Sequence, residues 1–146
     1  MKKIILIALI AVIITGFYAC SVNSKISQDP HQNMSHLEID LFATPENPAM
    51  SPSGEYTMTI ENGFDDDVYN NRFVIYSSND NTVPIFKCEK AYRTRDRLYF
   101  LWDEKDNIWV YSGDIGTTLW SKDNNSWTEL YPAQDDKPDA LIRCLR

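Results

Sequence analysis

Turn-forming residues recur about every ten residues from Pro52 onward, and no long amphipathic helical pattern lies between them. The intervening runs are short and rich in β-branched and aromatic residues, which favour extended strands. Close spacing of turns brings each strand back beside the one before it, so that neighbouring strands pair antiparallel. We therefore predict an all-β fold, a small antiparallel meander or sandwich of about seven short strands.

Alternation of apolar and polar residues predicts the bounds of these strands. Tyr56, Met58 and Ile60 alternate with polar residues, and Asn62-Gly63 is predicted to end that strand. Pro84 favours an edge position for its strand or a place at the strand start, because proline cannot donate a ladder hydrogen bond. Further strands are predicted at 68–77, 83–88, 97–102, 107–112, 117–121 and 127–131. An additional edge strand is expected at 37–42, and 138–143 would form either a helical turn or a last strand.

The start of the chain departs from this pattern. Met1-Lys2-Lys3 precedes the apolar run 4–17, which is typical of a secretory signal peptide and short for a membrane span of about 20 residues. The stretch Phe17-Tyr18-Ala19-Cys20 resembles the lipobox of bacterial lipoproteins and matches it at its last two residues. The resemblance implies a signal peptide over 1–19 and an acylated Cys20 that anchors the mature protein in a membrane. The alternative is an uncleaved anchor in which Cys20 is an ordinary thiol.

Both forms of the leader place the rest of the chain outside the cytoplasm, because the Lys2-Lys3 pair stays inside. Residues 20–35 are polar and predict a flexible tether, followed by the all-β domain at 36–146. His31 and His36 lie at this tether and are expected to be solvated. The chain has 14 basic and 21 acidic residues, a net charge of −7 that becomes −9 without the leader. Nucleic acid is therefore excluded as the main partner, since phosphate binding needs a surplus of basic residues.

Two cysteines remain in the domain, Cys88 and Cys144. Outside the cytoplasm such a pair is a candidate disulfide, which would stabilise the domain by about 4 kcal/mol in the chain-entropy model. The alternative is two free buried thiols. No metal is expected, because a zinc site needs four ligands at characteristic spacings.

The aromatic residues are concentrated, with all four tryptophans between positions 102 and 127. The strands at 97–102 and 107–112 are apolar on both faces, and one face of each belongs to the core. The second face would either be covered by another layer or form an exposed binding platform with Trp109, Tyr111 and Trp120. We favour the covered arrangement, because large aromatic side chains dominate core energetics.

Arg93, Arg95 and Arg97 lie at every second position, and an extended chain would place all three on one face. In that arrangement they would grip carboxylate or phosphate groups of a partner. The alternative, which we favour, is a charged edge that prevents pairing with other chains.

Nothing in the sequence marks a catalytic site, since it has neither a Gly-x-Ser-x-Gly elbow nor a phosphate-binding glycine loop. We therefore expect a binding protein without cofactor rather than an enzyme. The leading hypothesis is a membrane-anchored module of the cell envelope, facing the periplasm or the exterior, that recognises an envelope protein. One version is an immunity lipoprotein that neutralises an incoming toxin. The alternatives are glycan binding at the cell surface through exposed Trp and Tyr side chains and, less favoured, a small hydrolase.

Overall fold

The structure, a computed structural model, describes residues 39–132 and 136–146. The described chain forms ten strands and one short helix, which confirms the all-β prediction. The count exceeds the predicted seven because three strands have only two residues each. The elements are β1 (Phe42–Ala43), β2 (Ala49–Met50), β3 (Tyr56–Asp65), β4 (Val68–Ser77), β5 (Asp80–Lys87), β6 (Tyr92–Arg93), β7 (Leu98–Trp102), β8 (Ile108–Ser112), β9 (Gly116–Asp123), β10 (Ser126–Leu130) and α1 (Asp139–Cys144).

The strands form two antiparallel sheets. Sheet A has the order β1-β7-β8-β9-β10, in which the four last strands follow one another as a meander. Sheet B has the order β2-β3-β4-β5, and β6 also pairs with β4. β5 pairs with the second half of β4 and β6 with its first half, so the two share one side of that strand. β5 is an edge strand, as Pro84 predicted.

The hairpin of β3 and β4 is longer than the sequence predicted. Asn62-Gly63 does not end the strand, because β3 continues to Asp65 and pairs with β4 at ten consecutive positions. The turn lies at Asp66 and Asp67, whose φ angles are 48° and 61°. Positive φ at both central residues is typical of the two-residue turns that match the twist of a hairpin.

The main core lies between the two sheets. Alternate residues of β3 and β4, such as Met58 and Phe73, face alternate residues of sheet A, such as Trp102 and Val110. All these side chains are buried. Burial of such aromatic and aliphatic surface supplies most of the free energy that stabilises a domain of this kind.

The opposite face of sheet A is covered by α1. Leu101 and Trp109 of the sheet pack against Ala140, Leu141 and Cys144 of the helix. The C-terminal segment is therefore helical rather than a last strand. Among the described residues, no helix has the length and apolar character to span a membrane.

Sheet A separates the two cysteines that were predicted to form a disulfide. Cys88 is buried in the core between the sheets. Cys144, the last residue of α1, is buried between the helix and the opposite face of sheet A. No disulfide joins Cys88 and Cys144, which corrects that prediction in favour of two buried thiols. Burial raises the pKa of the Cys88 thiol to about 12, because a thiolate loses its hydration there.

Candidate functional site

The three aromatic residues predicted to bind a ligand form no exposed platform. Trp109 is 3% exposed, Trp120 is 8% exposed, and Tyr111 is partly buried. Trp109 lies on the helix side of sheet A, where its Nε1–H donates to Asp103 Oδ2 at 2.9 Å. Trp120 lies in the core between the sheets, where its Nε1–H donates to the Tyr92 hydroxyl at 3.1 Å. Sheet A is therefore covered on both faces. Glycan binding was predicted on the assumption that Trp109, Tyr111 and Trp120 are exposed, and the structure does not place them so.

The three arginines do not lie along one extended strand. Arg93 ends β6, Arg95 lies in a turn, and Arg97 directly precedes β7. All three are exposed, and the Arg95 guanidinium lies 3.6 Å from the carboxylate of Asp96. The extended geometry behind the predicted shared face is therefore absent, because the chain turns here from sheet B to sheet A.

A cleft of about 700 Å³ opens between the β7–β8 loop and α1. Its apolar wall includes Leu41, Trp109 and Leu119, and charged residues of the loop and the helix line its rim. Across residues 39–132 and 136–146, no three His, Cys, Asp or Glu side chains are grouped to hold a metal ion. The carboxylates of the cleft could bind a ligand only where the protein itself does not already use them as hydrogen-bond acceptors.

The β7–β8 loop uses its carboxylates to hold itself together. Asp103 Oδ1 accepts from the backbone N–H groups of Lys105 and Asn107, and its Oδ2 accepts from the side chains of Asn107 and Trp109. Asp106 is 5% exposed and accepts from a distant backbone N–H, that of Ser53. Asp103 and Asp106 therefore have structural partners already. Of the two, only Asp103 lines the cleft, beside the exposed acids Glu104, Asp136 and Asp139.

A different surface lies at the far end of the β3–β4 hairpin, and we call residues 62–71 the hairpin tip. Phe64 and Tyr69 are cross-strand partners with ring centroids 4.8 Å apart. They are 60% and 69% exposed. Because side chains alternate along a strand, Phe64 and Tyr69 lie on the same face of the hairpin as Ile60 and Phe73. Those two residues belong to the core and are nearer the base of the hairpin. The hairpin thus continues its apolar face beyond the part that sheet A covers.

β6 fixes the backbone of β4 at the hairpin tip, where Tyr69 lies. Thr94, directly after β6, donates its backbone N–H and its hydroxyl to the Tyr69 carbonyl oxygen, at 3.0 and 3.2 Å. The neighbouring Asn70 pairs with Arg93 in the antiparallel register. Tyr69 is therefore exposed on a backbone that is hydrogen-bonded on both sides, which lowers the entropy lost when a partner binds.

The turn of the hairpin tip carries three consecutive exposed carboxylates, Asp65 to Asp67. The Asp65 carboxylate lies 3.9 Å from the Arg72 guanidinium. The Asp66 and Asp67 carboxylates have no hydrogen bond or ion pair with any residue that the structure describes. The hairpin tip therefore combines an exposed aromatic pair with charges that the domain leaves unneutralised.

The sequence did not predict this site, because Asn62-Gly63 indicates a turn that would end the strand before Phe64. The signal was present, since Phe64 continues the alternation of Ile60 and Asn62. The aspartate run is typical of a turn. After it, the same alternation continues at Tyr69, Asn71 and Phe73. Cys20, His31 and His36 lie outside the described residues.

The arrangement at the hairpin tip can bind a partner by stacking, apolar contact and charge. The chain matches no protein-family model, and no curated protein or solved structure matches it. The binding surface is therefore inferred from the geometry of the described residues.

Proposed function

We propose that the protein is an exported, membrane-anchored module of the cell envelope that binds a protein partner through the hairpin tip. The observation that carries this proposal is the exposed Phe64–Tyr69 pair on a backbone fixed by β6. Exposed aromatic side chains supply large contact areas at low entropic cost and are frequent anchors of protein interfaces. In a domain whose tryptophans are buried, this pair is the natural anchor for a partner.

The envelope location in this proposal rests on the leader, with Cys20 as the lipidated anchor and the domain facing the periplasm or the exterior. An immunity lipoprotein that binds an incoming toxin is the specific version, supported by small size and acidity. Cys20→Ser should abolish labelling of the protein by a radioactive fatty acid. Labelling that persists in this variant would contradict the anchor.

The proposal assigns binding rather than catalysis. Asp103 lines the cleft, and its carboxylate acts as a hydrogen-bond acceptor for its own loop and for Trp109. A general acid or base must instead reach a substrate proton. The acidic net charge of −7 favours protein partners over nucleic acid.

The experiment is capture of envelope proteins on the full chain, quantified by mass spectrometry against two double variants. Phe64→Ser with Tyr69→Ser removes the aromatic pair. Met50→Ser with Val83→Ser removes two side chains that are also exposed, at 58% and 66%, but lie outside the hairpin tip. Both variants should keep native tryptophan fluorescence, because the substituted side chains are exposed.

We expect one protein to be recovered about tenfold less on the tip variant and equally on the control, since truncation of an anchor costs more than about 1.4 kcal/mol. Equal recovery on all three proteins would refute the role of the hairpin tip. Binding of the wild type to a glycan array, lost in the tip variant, would replace the protein partner with a sugar.

A further inference from the structure

The hairpin tip presents hydrogen-bond acceptors and ring faces without a neutralising cation of its own. Residues 62–71 include three aspartates and no lysine or arginine. The Asp66 and Asp67 carboxylates have no partner among the described residues, as shown above. Beneath the aromatic pair, on the same face of the hairpin, Asn71 is 8% exposed and its Oδ1 accepts no hydrogen bond. Three acceptor groups of the hairpin tip therefore lack a donor: two exposed carboxylates in the turn and one buried amide oxygen below the aromatic pair.

The basic residues nearest the hairpin tip belong to its other face. Arg72 alternates with the core residue Phe73, and Arg93 alternates with the fully buried Tyr92, so both arginines point away from the core. Arg72 is associated with Asp65 there. The face that carries Phe64 and Tyr69 therefore has no cation from its own hairpin.

Aromatic ring faces attract cations through their quadrupole, and unpaired carboxylates add charge-assisted hydrogen bonds. A guanidinium or ammonium group satisfies both demands, because it stacks on a ring and donates to several acceptors at once. An acidic or neutral segment would leave the Asp66 and Asp67 carboxylates unpaired against the interface, which is unfavourable.

We propose that the hairpin tip receives an arginine or lysine side chain from a basic segment of the partner protein. The cation would lie against Phe64 and Tyr69 and donate hydrogen bonds to the carboxylates of Asp66 and Asp67. This inference rests on the proposed function and names the chemistry of the partner. The net charge of −7 would add long-range attraction for a basic protein and increase its association rate.

The first test titrates the full chain in detergent micelles with a short peptide that carries two arginines separated by glycines. Amide chemical shifts from NMR should change at Gly63, Tyr69 and Thr94 and remain constant in sheet A. A peptide with glutamate in place of arginine should cause no change. The absence of arginine-dependent shifts at the hairpin tip would overturn the inference.

The second test compares two variants of equal net charge. Asp66→Asn with Asp67→Asn removes the two unpaired carboxylates, and Glu46→Gln with Glu104→Gln removes two exposed carboxylates outside the hairpin tip. We expect the first variant to weaken peptide binding about fivefold and the control to change it little, since local pairs outweigh net charge at ordinary ionic strength. Equal loss in both variants would overturn the inference.

The captured partner separates this inference from the proposed function. Recovery that depends on Phe64 and Tyr69 and also falls with Asp66→Asn and Asp67→Asn supports both. Recovery that needs the aromatic pair but is unchanged by the asparagine variants and by high salt would leave the proposed function and refute the cationic partner. Recovery that is independent of the aromatic pair would refute both.

Discussion

The two sheets of this domain differ in how far their apolar side chains are exposed. Sheet A has the inter-sheet core on one face and α1 on the other, so both sets of alternating side chains in β7 and β8 are buried or partly buried. Sheet B is covered on its inner face, and its strands β2 and β5 carry Met50 and Val83, which are 58% and 66% exposed. The enclosed sheet provides the rigid part of the domain, and the more open one extends the hairpin tip into solvent.

The acidic turns of the two sheets differ in the same way. In the β7–β8 loop of sheet A, Asp103 accepts four hydrogen bonds and Asp106 is buried. In the hairpin tip of sheet B, Asp66 and Asp67 are exposed and unpaired within the described chain. The comparison teaches that aspartates in turns have no fixed role. Their role depends on whether donors of the same domain reach them.

The largest effect expected from the enclosure of sheet A concerns its thiols. Cys88 and Cys144 lie on its opposite faces and are at most 1% exposed. Without reductant, alkylation of either by iodoacetamide should be on the order of 10³-fold slower in the native protein than in urea, because it requires opening of the fold. Peptide mapping by mass spectrometry gives the rate at each cysteine.

The pH dependence of the same reaction provides a control. Burial raises the pKa of the Cys88 thiol to about 12, so its native-state thiolate fraction stays negligible between pH 7 and 9. An unfolded thiol, with a pKa of 9.0, should react faster as the pH rises over this interval. Thiols that react in urea only after reduction would restore the disulfide and contradict this picture.

The helix that covers sheet A is expected to contribute more to stability than the exposed side chains of sheet B. Leu141 of α1 is fully buried against sheet A, whereas Val83 of β5 is 66% exposed. Leu141→Ala should lower the free energy of unfolding by about 3 kcal/mol, through lost burial and the cavity that remains. Val83→Ala should change it by less than about 0.5 kcal/mol. Urea unfolding followed by tryptophan fluorescence measures both, and similar losses would remove the distinction between the sheets.

The β7–β8 loop should lose stability when its central acceptor is removed. Asp103→Ala leaves the buried Trp109 Nε1–H and the Asn107 donors without an acceptor, which costs about 2 kcal/mol. Glu104→Ala, in the same loop but exposed, is the matched control and should be nearly neutral. The same urea titration applies. An unchanged midpoint for Asp103→Ala would mean that water replaces the carboxylate.

Most strands could be predicted because apolar and polar residues alternate along them, as expected when one face of a strand is buried. Val68–Ser77 was predicted with its observed bounds, and the edge position of β5 followed from Pro84. The end of β3 was predicted wrongly, because Asn62-Gly63 is a strong turn signal and was given more weight than the alternation that continues to Phe64. Gly63 serves another purpose, because a Cβ at this position would lie 2.5 Å from Asn70 Oδ1 across the hairpin. Glycine here allows close approach of a cross-strand side chain rather than a turn.

The cover of sheet A and the separation of the cysteines depend on contacts between distant segments. A six-residue helix is too short to show helical periodicity, so α1 could not be distinguished from a strand. Cys88 and Cys144 looked suitable for a disulfide because sequence spacing does not reveal that a sheet lies between them. The exposed aromatic pair was missed for the same reason, since exposure depends on where sheet A ends.

The smallest expected effect has the opposite sign and concerns the turn of the hairpin tip. Asp67 has a φ of 61° beside two other carboxylates, and glycine adopts this conformation without steric cost. Asp67→Gly should therefore raise the free energy of unfolding by about 0.5 kcal/mol. Asp67→Asn removes the charge but keeps a side chain, so it separates relief of repulsion from relief of backbone strain. Urea midpoints at low and high salt distinguish the two, because salt screens only the repulsion. A loss of stability in both variants would show that the Asp67 carboxylate supports the fold, as Asp103 does, and would end the contrast between the two hairpins.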